Sequence, residues 1–184
     1  MKKTGKNGLE FLNKKSLSGA LKVVGIDPGS SGAVVGYDGK NILWFKMPLN
    51  EKNYSCVKTL IKIFNLYFSE AEIFLEEAKP YGMNAKGAFT YGKGVGAIES
   101  ALTLVGLTPT LVAPSQWTKW AHQGTDRRLN PKERTLEALK GRYPHLVSKV
   151  PTGPRSGRLD EGILDALILS IYGYEQLQDA FIDI

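Results

Sequence analysis

Three acidic loci in this chain fall where a folded sheet would hold them rigidly. Asp27 closes the β-branched run Val23-Val24-Gly25-Ile26 and is followed at once by Pro28-Gly29. Glu76 and Glu77 follow the apolar triplet Ile73-Phe74-Leu75, and Asp160-Glu161 precede Asp165 where the last apolar stretch begins. A carboxylate at the end of a buried strand is costly to desolvate unless something binds it. Several carboxylates forced together repel, and their pKa values climb unless cations neutralise them. Two magnesium ions roughly 3.5–4 Å apart would do so, and such a pair also activates a water and stabilises the leaving oxygen of a phosphodiester. Paired-metal phosphodiester hydrolysis is therefore the chemistry this set implies, with manganese as the natural substitute. One cysteine and two histidines are too few for the usual zinc site, which leaves a hard cation held by oxygen.

Not every acid in the set carries equal weight. Asp27 could merely stabilise its Pro-Gly turn. Neighbouring strand residues face opposite ways, so one of Glu76 and Glu77 must point away from the site, and alternation alone does not say which. On a regular helix, residues four apart differ in direction by about 40° and residues five apart by about 140°, which pairs Glu161 with Asp165. Asp160 at an N-cap would escape that geometry and be free to turn the same way. It could also serve only as the cap, with Glu161 complementing the helix dipole. Asp165 is harder to dismiss, because it lies between Leu164 and Ala166-Leu167-Ile168.

The elements that must position these acids follow from pattern. The spacing predicts strands at 22–26, 33–37 and 41–47, with Asp38-Gly39 as the second hairpin turn. Apolar residues at helical spacing predict a helix over 54–68, followed by a strand at 73–75. Pro80, Gly82 and Gly87 mark 78–91 as a loop, and a helix over 93–105 ends at Gly106. A fifth strand is expected at 108–112, a short helix at 114–120, and a helix at 131–142 opening on Pro131. Residues 144–158 read as a flexible basic loop and 159–174 as the last helix. Trp117 and Trp120, one helical turn apart, read as core rather than as base-stacking residues. Three hairpin-linked strands, then helix, strand, helix, strand, predict an α/β fold: one mixed five-stranded sheet flanked by helices, in the ribonuclease H-like order. Asp27 and the glutamates meet only if the first and fourth strands are parallel neighbours, because parallel strands open their carboxyl ends on one edge.

At 184 residues the chain suits one substantial domain, expected at 21–184, behind a flexible basic arm at 1–20. A single cysteine excludes an internal disulfide and fits a reducing compartment. No apolar run approaches membrane-spanning length, so no membrane partner and a cytoplasmic setting are expected, with a viral host's cytoplasm or an organelle as variants. The net charge of +6 favours an anionic partner, nucleic acid first.

With these residues assembled, the chain resembles the RuvC family of Holliday junction resolvases, in particular its phage and organelle branch. The resemblance spans about 22–174 and rests on Gly25-Ile26-Asp27-Pro28-Gly29, Phe74-Leu75-Glu76-Glu77, the Gly/aromatic stretch 83–96, Pro114-Ser115-Gln116-Trp117-Thr118-Lys119, and Asp160-Glu161-Gly162 leading to Asp165-Ala166-Leu167. It implies a homodimer that makes paired, magnesium-dependent nicks in four-way junction DNA, without a small-molecule cofactor. By position it implies Asp27, Glu76, Asp160 and Asp165 as the catalytic, metal-binding carboxylates. Some relatives have their last two acids three apart, where this chain has Gly162. The bacterial enzymes carry an aromatic wedge where this chain has Lys79, and Tyr81, Met83 or Phe89 are the candidates to replace it.

Cations cluster after the acidic strands, in loops or at helix starts: Lys79, Lys86, Lys93, Lys119, Arg127, Arg128, Lys132, Arg134, Lys149, Arg155 and Arg158. Together they predict a DNA channel whose phosphate contacts make binding salt-dependent. A stripe of Gly94, Ala97 and Ala101 suggests the dimer contact. Two other readings compete. One keeps the fold and changes the substrate to other branched or RNA-containing structures. The other takes 25–32 as the phosphate loop of an actin-like nucleotide-binding fragment, although the chain lacks a Gly-Lys-Ser/Thr ending and a second such domain.

Overall fold

The computed structural model describes residues 17, 19, 21–77, 82–153 and 157–182, with backbone alone at 181 and 182. Most of the expected basic arm, together with Lys79, Tyr81 and Arg155, lies outside the described residues. Leu17, near the arm's end, is buried against the sheet.

Strand β1 (Val23–Asp27) pairs antiparallel with β2 (Ala33–Tyr37), which pairs antiparallel with β3 (Ile42–Lys46). Helix α1 (Val57–Tyr67) carries the chain over to β4 (Glu72–Glu76), which lies parallel to β1 on its other side. After α2 (Ala85–Leu104), β5 (Pro109–Val112) adds parallel to β4, so the strand order is β3-β2-β1-β4-β5. Helices α3 (Pro114–Ala121), α4 (Pro131–Arg142), the single turn α5 (Pro144–Val147) and α6 (Glu161–Ile182) complete the chain. The mixed sheet flanked by helices is the expected one, and β1 and β4 are the parallel neighbours that the acidic site requires.

Side chains alternate across each strand and so build two separate cores. Val24, Ile26, Val34, Phe45, Ile73 and Leu75 pack under α1 and α2. Val23, Val35, Tyr37, Phe74 and Val112 pack under α6, α3 and α4. Gly25 lets α6 approach β1, since a Cβ there would stand 2.1 Å from Ala166 O. Gly162 does the same one turn into α6, where a Cβ would stand 2.1 Å from Ser31 O. No side chain fits at 162, so an acid three residues before Asp165 is sterically barred.

Three elements differ from their expected form. Helix α2 begins at Ala85, inside the expected loop, because the Asn84 side chain accepts from Gly87 N–H (2.8 Å) and caps it, so the glycines that follow do not prevent a helix. The expected basic loop holds α5, with Pro144 in its first turn and the fully buried Leu146 anchoring it, and a bridge between Thr152 and Leu159. Helix α6 runs past Tyr174 to Ile182, since Glu, Gln, Leu and Ala continue a helix after it leaves the core. Of the small-residue stripe on α2, Ala101 is fully buried and Gly94 is buried, so both pack on their own domain rather than facing a partner, while Ala97 is half-buried.

Candidate active site

Each acid reaches the site from a different element. Asp27 ends β1, and its Oδ1 accepts from Gly29 N–H at 3.2 Å across the turn. Glu76 ends β4. Ile26 is in register with Leu75, so Asp27 and Glu76 are the next residues along two parallel strands and face the same side. That side is the α6 face, because Asp27 alternates with Val23, and Glu76 with Phe74, both in the core beneath α6. Glu77 lies past the strand, its backbone N–H donating to Val112 O (2.8 Å). Asp165 faces Asp27 and Glu76 from the second turn of α6.

Burial and mutual repulsion set the electrostatics. Burial pushes the Asp27 carboxyl up, with the Gly29 N–H and Lys46 opposing and Asp160 adding. Burial also raises Glu76, reinforced by the charge of Asp27 and opposed by a hydrogen bond from Trp117. Asp165 is pushed up to about 7, by burial first and then by the charges of Asp27 and Glu76. Tyr91 of α2 is raised to about 12 by burial first and then by the charges of Glu76 and Asp27. Carboxylates raised by burial and by a neighbouring acid's charge mark a site short of positive charge.

The pair before α6 divides its work. Asp160 caps the helix, its Oδ1 accepting from Ile163 N–H at 3.1 Å, and it acts on Asp27. The same Oδ1 accepts from Lys46 Nζ at 2.8 Å, and Lys46 Nζ also donates to Ser31 O at 2.6 Å. Glu161 is exposed and pairs with Lys132, though near enough to raise Asp165.

Three neighbours of the acids escaped the sequence reading. Trp117 is buried, as its pattern suggested, but its indole Nε1 also donates to Glu76 Oε2 at 2.9 Å and so orients that acid. Tyr91 fell in the stretch read as a loop. Lys46 was legible in principle: pairing 33–37 with 42–46 sets Lys46 opposite Ala33, which is itself opposite Asp27.

The cations expected at DNA are spread around this edge. Lys86 lines a cavity of about 440 Å³ together with Pro28, Ser30 and Tyr91, next to the acids. Lys93 lies over the rings of Tyr54 and Phe89, 4.6 and 5.2 Å from their centroids. Lys119 and Arg127 are exposed around a polar basin, which Arg134 also lines while donating to Thr125 Oγ1 and His122 O. Arg128 pairs with Asp126, Lys149 Nζ donates to Lys40 O (2.7 Å), and Arg158 is exposed. Met83 and Phe89 are exposed, at 45% and 64%, on the segment that enters α2.

No protein-family model and no curated relative matches the chain. Solved structures do. Thermus thermophilus RuvC in complex with a Holliday junction substrate aligns with a TM-score of 0.62 at 18% identity, over 86% of this chain and 96% of that one. A second structure of Thermus thermophilus RuvC aligns with a TM-score of 0.54 at 20% identity, over 85% and 97%. At such identity the likeness carries the fold, and that fold is the ribonuclease H-like one expected from the order of elements.

Proposed function

We propose that this protein is a structure-selective DNA endonuclease that resolves four-way junctions by paired, metal-dependent phosphodiester hydrolysis. The observation that carries this reading is the convergence of Asp27, Glu76 and Asp165, from β1, β4 and α6, at one edge of a RuvC-like sheet. Burial raises all three, the charge of Asp27 raises Glu76, and Asp27 and Glu76 together raise Asp165.

The donor set suits magnesium or manganese: it is made of carboxylate oxygens only and lacks positive charge. Among the described residues no three His, Cys, Asp or Glu side chains already form a cluster that could hold a metal ion, so an ion would have to draw the carboxylates inward. Asp27, Glu76 and Asp165 would hold it, with Asp160 completing the acidic edge. When bound, the metal supplies an activated water and stabilisation of the leaving oxygen. The chain's own residues do the rest. Trp117 and the Gly29 N–H fix the orientations of Glu76 and Asp27. Lys86, Lys119 and Lys132 hold phosphates on either side of the acids. Two cuts related by the junction's two-fold axis call for two identical subunits, hence a homodimer.

The test is a panel of four-way junction, flap, RNA–DNA hybrid and linear duplex, each incubated with magnesium. The expected result is symmetric nicking of the junction, abolished by Asp27→Asn with junction binding retained. Equal cutting of linear duplex, cutting confined to the hybrid, or full activity in Asp27→Asn would overturn the proposal.

A further inference from the structure

Among the described residues Lys46 is the cation bonded to Asp160, and the sheet puts it there. Asp27, Ala33 and Lys46 form a single row across β1, β2 and β3. Registered neighbours point to the same side, and two strand spacings separate Asp27 from Lys46 by roughly 10 Å. The residue between them is fully buried Ala33, whose methyl group leaves the way open for a lysine to extend along the row. The Lys46 ammonium ends between Ser31 O, at 2.6 Å, and Asp160 Oδ1, at 2.8 Å. A backbone carbonyl and a carboxylate oxygen are the hard donors that a divalent ion would otherwise take. Gly162 presses on Ser31 O and excludes a further acid from that end. At the other end, no lysine or arginine among the described residues forms an ion pair with Asp27, Glu76 or Asp165. The edge is therefore asymmetric among the described residues: Asp160 has a lysine bonded to it, while Asp27, Glu76 and Asp165 have none bonded, Lys46 and Lys132 acting on Asp27 and Asp165 only through space.

We infer that Lys46 stands in for the second cation, so that each chain binds a single divalent ion at Asp27, Glu76 and Asp165 while the ammonium neutralises the Asp160 end. The inference rests on the nuclease reading and revises the two-ion expectation for this site. Lys46 acts here as a positioning residue. It ties β3 to the β1–β2 turn and to the start of α6, and it supplies a charge that chelators cannot remove.

The experiment counts Mn2+ bound per full-length chain, from the electron paramagnetic resonance of the free ion, alongside junction cleavage by the same preparations. Wild type should bind one Mn2+. Lys46→Met should admit a second, Lys46→Arg should not, and Lys46→Met combined with Asp160→Asn should return to one. Two Mn2+ per wild-type chain, or one in a folded Lys46→Met, would overturn the inference. Should Lys46→Met not fold, the wild-type count decides alone. If wild type binds two ions and still resolves junctions, only the role of Lys46 falls. If it binds none and cuts no DNA, the nuclease reading falls with it.

Discussion

Replacing Asp165 by Asn should make the metal-free protein less sensitive to pH. The Asp165 carboxyl is raised from an ordinary 3.8 to about 7 by burial and by Asp27 and Glu76. Between those values the folded chain holds a proton that the unfolded chain releases. Stability must then fall as pH rises through that window, and the whole loss is present above about 7. Each pH unit of that difference is worth 1.36 kcal/mol, so the window amounts to about 4 kcal/mol, of which about 3 falls between pH 5 and pH 8. For a chain of this size that is about 6–12 °C in Tm. Asn cannot ionise, so Asp165→Asn should lose that much less stability than wild type over the same interval. What slope remains comes from Asp27 and Glu76, which are raised as well. The assay is denaturant unfolding at several pH values in the presence of a chelator, comparing the two slopes. Saturating magnesium should then recover stability at pH 8 in wild type and much less in the variant, because a ligand stabilises only the state that binds it. Parallel pH curves for the two proteins would refute the argument, since Asp165 would then not be held among the other two acids.

Other consequences can be checked on the same preparations. Trp117→Phe removes the N–H that lowers Glu76, so turnover should fall while junction binding persists, and the acid limb of the pH–rate profile should move to higher pH; an unmoved profile would return Trp117 to packing alone. Glu76→Gln should impair cleavage far more than Glu77→Gln, because only Glu76 lies on the Asp27 side of the sheet; the reverse ranking would reassign the ligand. Lys86→Ala and Lys119→Ala should each flatten the salt dependence of junction affinity by about 0.9 in log–log slope, equally for any sequence, and an unchanged slope would make them solvated surface charges.

How much of this was legible beforehand depends on whether the controlling interaction is local. Strands β1, β2 and β3 could be read because β-branched runs are separated by Pro-Gly and Asp-Gly turns, and turn chemistry is written in neighbouring residues. Helix α2 was misread at its start for the same reason: its glycines argue locally for a loop, while the Asn84 cap and the buried Val95 and Ile98 hold a helix. The stripe of small residues on α2 shows the limit more sharply. Gly94 and Ala101 permit close approach, but helical spacing cannot say whether the approaching body is another chain or the domain's own core, and the burial of Ala101 decides for the core. The acids were legible as a set because Asp27 and Glu76 end apolar runs and Asp165 interrupts one. Their partners were not, since the indole of Trp117 meets Glu76 from 41 positions away and Lys46 meets Asp160 from 114. The register of β1, β2 and β3 connects those scales. Once Asp27 is set opposite Ala33, and Ala33 opposite Lys46, a positive charge must lie in the same row as the first acid, and a small residue between them lets it extend along that row. The asymmetry of the acidic edge is thus a consequence of strand pairing, and under the single-ion proposal it assigns the metal to Asp27, Glu76 and Asp165.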